Sequence, residues 1–198
     1  GIRLNRQALI SGYYDTETRA LHKARFALRV RKTDLGFVQT IKGDGPGELF
    51  DRPEWEQTIA GPHPDLSAIA GTPIEALLKS DAGERLRPLF QTRIERGLYH
   101  VESNGSEIEV AVDRGEIGTV ERRSPMHEVE LELRKGDPAE LFAVARRLSA
   151  SVPLRLAVKT KAERGYELAM GAAPEAEKAT RLYLDGGLSC RQAFRAIG

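Results

Sequence analysis

The sequence predicts an α+β protein: an antiparallel β-sheet that closes into a barrel, with helices flanking its outside. Three observations lead there. Period-2 segments fill the first two thirds of the chain, Gly- and Asp-rich turn signals separate them, and strand after strand has one apolar and one charged face. Turns this short favour antiparallel hairpins over parallel crossovers.

The first strand is "LISGYY" (9–14), and "RFALRVRK" (25–32) follows, with Phe26, Leu28 and Val30 on one side and Arg29 and Arg31 on the other. After a turn at Asp34–Gly36, "GFVQTIKG" (36–43) points Lys42 away from Ile41. The "GDGPGE" turn leads to "PEWEQTIA" (53–60), where Glu54 and Glu56 oppose Trp55. "DLSAIAGTPIEALLKS" (65–80) predicts two short helices. "LFQTRIERGLYHV" (89–101) and "SEIEVAVDRG" (106–115) meet at "SNGS", and "MHEVELELRKG" (126–136) is the next strand.

"DPAELFAVARRLSA" is a helix, since Asp137 can cap it, Pro138 suits the first turn, and Leu141, Val144, Ala145 and Leu148 form one stripe. "TKAERGYEL" reads as a last helical turn and a closing strand. A Gly-Ala-Ala-Pro linker at 171–174 precedes one or two short helices with too little apolar surface to fold alone.

A chain of 198 residues suits one substantial domain with an appendage. With 30 Lys plus Arg against 29 Asp plus Glu, the net charge is +1, which gives no reason to expect nucleic acid or a membrane surface as partner. Cys190 is the one cysteine, so no intrachain disulfide forms and the chain fits a reducing compartment. No apolar run approaches the roughly 18 residues of a transmembrane helix, and "GIRLNRQ" has no apolar signal core. A soluble cytoplasmic protein is expected.

The distribution of charge carries more than its sum. Glu107, Glu109, Ala111 and Asp113 share a face opposite Ile108, Val110 and Val112; Glu128, Glu130, Glu132 and Arg134 oppose Val129, Leu131 and Leu133. A sheet with one wet side produces the same alternation. Two details favour closure. Acids concentrate in some strands and bases in others, and three stacked glutamates repel unless cations face them. A many-stranded sheet also removes its edges by closing, here with apolar faces outward and charges in a central bore. Neighbouring carboxylates suit a hard cation such as Mg²⁺ or Mn²⁺, and Arg29, Arg31 and Lys42 supply donors for phosphate oxygens. Together they have the layout of phosphoryl transfer.

"YYDTETRALHKARFALRVRK", "VQTIKG", "RPEWE", "EIEVAVDRG", "HEVELELRKGD" and "KTKAERGYEL" stand in the order found in the CYTH superfamily, the triphosphate tunnel metalloenzymes, and the chain resembles it over roughly residues 9–169. The resemblance implies an eight-stranded antiparallel β-barrel forming a tunnel, and Mg²⁺- or Mn²⁺-dependent chemistry on inorganic triphosphate, thiamine triphosphate or ATP. It implies triphosphate binding by Arg29, Arg31, Lys42, Arg96, Lys161 and Arg164, with Arg93 and Lys159 as weaker candidates. Metal would fall to Glu128, Glu130 and Glu132, without deciding which two. Glu54, Glu109 and Asp113 resemble catalytic tunnel acids that hold the arginines or position water.

The family's opening acid-x-acid-x-Lys strand has no counterpart in "GIRLNRQALISGYYDT", so the barrel is expected to lack that strand, leaving an open seam and an incomplete metal site. The expected division is a CYTH domain over 1–170 and, over 171–198, a linker and the start of a truncated module similar to a CHAD domain, a helical module associated with polyphosphate. That similarity implies a natural protein that continues past Gly198. The implied function is metal-dependent hydrolysis of inorganic triphosphate. Alternatives are a non-catalytic triphosphate- or polyphosphate-binding module, a class IV type adenylate cyclase acting on a nucleoside triphosphate, and a thiamine triphosphatase.

Overall fold

The computed structural model describes residues 2–43, 53–80, 85–157 and 159–171. The proposed module at 172–198 and most of the "GDGPGE" turn lie outside them. The strands are β1 (Ile2–Asp15), β2 (Phe26–Thr33), β3 (Gly36–Gly43), β4 (Glu54–Ile59), β5 (Arg87–Ser103), β6 (Ser106–Gly118) and β7 (Arg123–Lys135). They form one sheet in the order β4-β3-β2-β1-β5-β6-β7, every neighbouring pair antiparallel. Among the described residues β4 and β7 do not pair, so this is the expected barrel less one strand, with an open seam. Asn104 and Gly105, with φ of 47° and 77°, make the tight β5–β6 turn.

The helices are α1 (Ala20–Lys23), α2 (Ile74–Ser80), α3 (Ala139–Ser149) and α4 (Lys161–Met170), with a 3₁₀ turn at Leu66–Ile69. On the apolar face of β1 to β4, Leu28, Val30 and Ile41 are buried with Leu21, Ile69 and Ile74 from the helical side. The buried Gln39 amide on this face is satisfied by the backbone N–H and C=O of Asp65. At the other end, Val144 of α3, flanked by Leu141 and Leu148, packs on Ile108 and Val110. Asp137 accepts from the Ala139 N–H at 2.8 Å, the capping role its position suggested. No helix among the described residues is long and apolar enough to cross a membrane.

Three elements differ from the sequence reading, the first being the short helix α1, which has no counterpart in it. β1 begins seven residues before "LISGYY", because its long ladder with β5 runs from Ile2 to Asp15. "TKAERGYEL" forms no strand; it is α4, started by a capping box in which Thr160 and Glu163 satisfy each other's backbone N–H. Gly165 obscured it, being a poor helix former. Its lack of a side chain is what lets α4 approach the sheet, since a Cβ there would overlap the Phe90 ring. We therefore expect Gly165→Ala to lower the urea midpoint of unfolding, by about 1–3 kcal/mol of overpacking, although alanine is the better helix former by about 1 kcal/mol.

α4 lies on the charged side of the sheet. There Leu9, Tyr13, Phe90, Ile94, Ile117 and Met126 form a third core with Tyr166. Tyr13 stacks on Phe90 at 4.5 Å, and the Tyr166 hydroxyl donates to the buried Asp15 carboxylate at 2.9 Å. One end of the charged face is thus filled with apolar side chains, and the other stays polar.

Candidate active site

Residues directly opposite in an antiparallel ladder share a face. Arg29 faces Tyr13 and Thr40, Arg31 faces Ser11, and Lys42 faces Glu54. Across β1, Ser11 faces Thr92 and Gln7 faces Arg96; Arg96 faces Asp113, Asp113 faces Glu128, and Glu109 faces Glu132. The register therefore puts every predicted strand residue of the site except Arg93 on one side. On that side Arg96 of β5 reaches over β6 to Glu130 of β7.

The basic half comes from β2 and β3. Arg29 donates to the Thr40 hydroxyl at 2.9 Å and approaches Glu54 at 3.9 Å, while its buried Nε has no hydrogen-bond partner. Arg31 donates to the Ser11 hydroxyl at 3.1 Å. Burial, and next the charge of Arg29, lower the Arg31 pKa to about 10. These are two half-buried, adjacent cations whose hydrogen bonds go to neutral hydroxyls, with Glu54 at the edge of ion-pair range of Arg29. Lys42 pairs with Glu54 at 2.9 Å at the more exposed end.

The acidic half comes from β6 and β7 and is already paired. The Arg96 fork grips both oxygens of the fully buried Asp113 carboxylate at 2.7 Å and reaches Glu130 as well. Lys161, brought in by α4, stands 3.1 Å from Asp113 and 2.5 Å from Glu130. Further along β7, Arg134 bridges Glu132 and Glu109 at 2.7 and 2.9 Å. The three glutamates thus divide: Glu128 and Glu130 face Lys161, and Glu132 goes with Glu109.

Burial alone would raise the Asp113 carboxyl, but Arg96 and Lys161 overcome it and hold the carboxyl below the usual range. A carboxyl depressed in the folded state stabilises fully above its unfolded value of about 3.9, and that contribution is lost as pH falls through the folded value. Urea midpoints measured from neutral pH downward should decline below about pH 4. Asp113→Asn, weaker at neutral pH, should show a flatter acid limb.

Some predicted residues stand apart. Arg164 turns outward and donates to the Pro125 carbonyl at 3.4 Å. Arg93 lies on the other face, bonded to Gln91, and Lys159 pairs with Glu167. Sequence reasoning missed Ser11 and Thr40, neutral residues whose only signal is the register that sets them beside arginines. It also passed over Arg134 as a base of this site, although its parity matches that of the glutamates.

Residues 3–166 match the CYTH domain. The chain belongs to the CYTH family. It is 34% identical over 171 residues to an inorganic triphosphatase of Haemophilus influenzae, covering 83% of this chain. It spans 47% of the length of that protein. Among solved structures, a candidate adenylyl cyclase from Hippeastrum with a dominant triphosphatase activity shares the fold, with a TM-score of 0.60 and 16% identity over 87% of this chain and 86% of that one. The PH1819 protein of Pyrococcus horikoshii matches with a TM-score of 0.50 and 18% identity, over 84% of this chain and 87% of the other.

CYTH triphosphatases generally use divalent metals, and the atoms of this CYTH chain fit such an ion. Its acids offer oxygen donors alone, the preference of a hard cation. Glu128 Oε2 is buried and accepts no hydrogen bond, although Lys161 Nζ lies 3.1 Å away. No group of three or more His, Cys, Asp or Glu among the described residues is arranged as a cage. Mg²⁺ commonly takes one or two carboxylates and completes its shell with water and substrate phosphates, so the Glu128 and Glu130 pair meets that need.

Proposed function

We propose that this chain binds inorganic triphosphate on the charged face of the sheet and supports its metal-dependent hydrolysis. The observation that carries the reading is the Arg29–Arg31 pair: two half-buried adjacent guanidiniums, one with an orphaned Nε, both hydrogen-bonded to hydroxyls, and with a carboxylate in range of Arg29 alone, Glu54 at 3.9 Å. Such a pair is relieved by a polyanion. The 34% identity to an inorganic triphosphatase points to the same substrate class.

Arg29, Arg31 and Lys42 would take the phosphate oxygens from one side, with Arg96 and Lys161 as further donors; Arg164 would have to leave the Pro125 carbonyl to join them. Glu128 and Glu130 would hold Mg²⁺ or Mn²⁺, with Glu132 as a third acid beside them. When bound, the ion supplies charge neutralisation on the phosphoryl group. Asp113 fixes the direction of Arg96, and Glu54 sits where it orients Lys42 and Arg29. Glu109, bound to Arg134, is the remaining acid available to a water on this face. Attack of water on a terminal phosphorus would break one P–O–P bond, leaving phosphate and pyrophosphate. We place the protein in the cytoplasm. We assign 1–170 to this CYTH domain and 171–198 to a linker and the start of a CHAD-like, polyphosphate-associated module.

The test is phosphate release from triphosphate with added Mn²⁺ or Mg²⁺, alongside the melting temperature with triphosphate alone, since a ligand of the folded state raises it. A melting temperature unmoved by triphosphate would overturn the reading. Binding without turnover would favour a non-catalytic triphosphate or polyphosphate module, a second reading supported by acids already neutralised by Arg96, Lys161 and Arg134. Cyclic AMP formation from ATP in place of phosphate release would favour the cyclase.

A further inference from the structure

Lys161 sits among the acids that the metal reading assigns to the ion. Its Nζ lies 3.1 Å from Asp113 Oδ2, 3.1 Å from Glu128 Oε2 and 2.5 Å from Glu130 Oε1, so three carboxylates from two strands surround one ammonium. Burial would lower its pKa, and the three acids raise it above the ordinary lysine value, so it is a fixed positive charge. The backbone beneath it is anchored. The Thr160–Glu163 capping box starts α4 at Lys161, Gly165 packs on Phe90, and Tyr166 bonds Asp15. Only the four-carbon arm of Lys161 is left to move.

A divalent ion bound to Glu128 and Glu130 cannot share those oxygens with an ammonium about 3 Å away, because like charges at that range repel by several kcal/mol even at an effective dielectric of 20. Nor is the acidic pocket neutral without a cation. Arg96 offsets one of the three negative charges, so a further cation is favoured there, and the ammonium and the ion exclude each other. We propose that Lys161 is the resident cation of the metal-free protein: it holds Asp113, Glu128 and Glu130 together, competes with the divalent ion for Glu128 and Glu130, and releases them when phosphate oxygens draw its ammonium away. Metal and triphosphate then load cooperatively, each favouring the other. This rests on the metal reading of Glu128 and Glu130 given above.

Mn²⁺ binding without any phosphate, followed by electron paramagnetic resonance of the free ion, tests it. Lys161→Met removes the competing charge and keeps the length of the arm, so the Mn²⁺ dissociation constant should fall about tenfold, within the range of coupled sites. Lys161→Arg keeps the charge and should bind Mn²⁺ no more tightly than the wild type. Equal or weaker Mn²⁺ binding by Lys161→Met overturns the proposal, as does equal tightening in both variants, which would make the effect one of packing. If no form binds Mn²⁺, the metal reading falls together with it.

Should Lys161→Met not fold, the wild-type chain decides. The ¹⁵Nζ resonance of Lys161, followed during Mg²⁺ titration, should move to the position of solvated lysines. An Nζ resonance that stays fixed while the Glu128 and Glu130 amides shift would sink the competition.

Discussion

Arg31→Met should weaken triphosphate binding and lower kcat/KM about 100- to 1,000-fold, the loss typical of one preorganised charge donor, while its melting temperature stays level or rises. The two effects have one cause. Arg31 is half-buried beside Arg29 and within the influence of Arg96, and the oxygen it bonds belongs to neutral Ser11. Without an anion the folded state carries the desolvation of that charge and its repulsion from like neighbours, and methionine of similar reach carries neither. With a triphosphate the same guanidinium faces oxygens that offset both terms. Calorimetric titration with triphosphate and thermal unfolding of the same two proteins separate the effects. A variant that binds normally and melts several degrees lower would show Arg31 to be a structural residue.

Arg96→Met should have the opposite sign in stability, a loss of about 3–5 kcal/mol, as when one partner of a buried ion pair is removed. Arg96 lies on the same face, two strands from Arg31, but its partner is a carboxylate whose side chain is 0% exposed. Its removal leaves Asp113 Oδ1 without its donor and Oδ2 with Lys161 alone. Adding Asp113→Leu should recover most of the loss, because a well-packed apolar pair often replaces a buried ion pair at little cost. Urea unfolding of the wild type, both single variants and the double variant measures this as a double-mutant cycle. Additive losses would mean that the fork contributes nothing beyond its two residues taken separately.

These arginines show how far the sequence reaches. "FALRVRK" alternates with period 2, so Arg29 and Arg31 oppose Phe26, Leu28 and Val30 whatever the rest of the chain does. The same parity sets Glu128, Glu130 and Glu132 together and puts Arg93 on the face opposite Arg96. It did not reveal that Arg31 meets a serine while Arg96 meets an aspartate. That contrast separates a cation free for an anion from one already used, and it depends on the ladders β1–β2 and β5–β6. Nor did it divide the glutamates, since the grouping of Glu132 with Glu109 follows from Arg134 reaching between two strands.

The sequence by itself determined the antiparallel sheet, the helical segments at 65–80 and 137–150 and the face taken by each charged strand residue. Side-chain alternation and turn chemistry are local properties of the backbone, readable without partners. The tertiary structure decided which acid meets which base, that Arg96 reaches over β6 to Glu130, and that Lys161 enters the acidic cluster while Arg164 bonds the Pro125 carbonyl. Those outcomes depend on strand register and on a glycine that seats α4 against Phe90, contacts between segments far apart in the chain that no local period encodes.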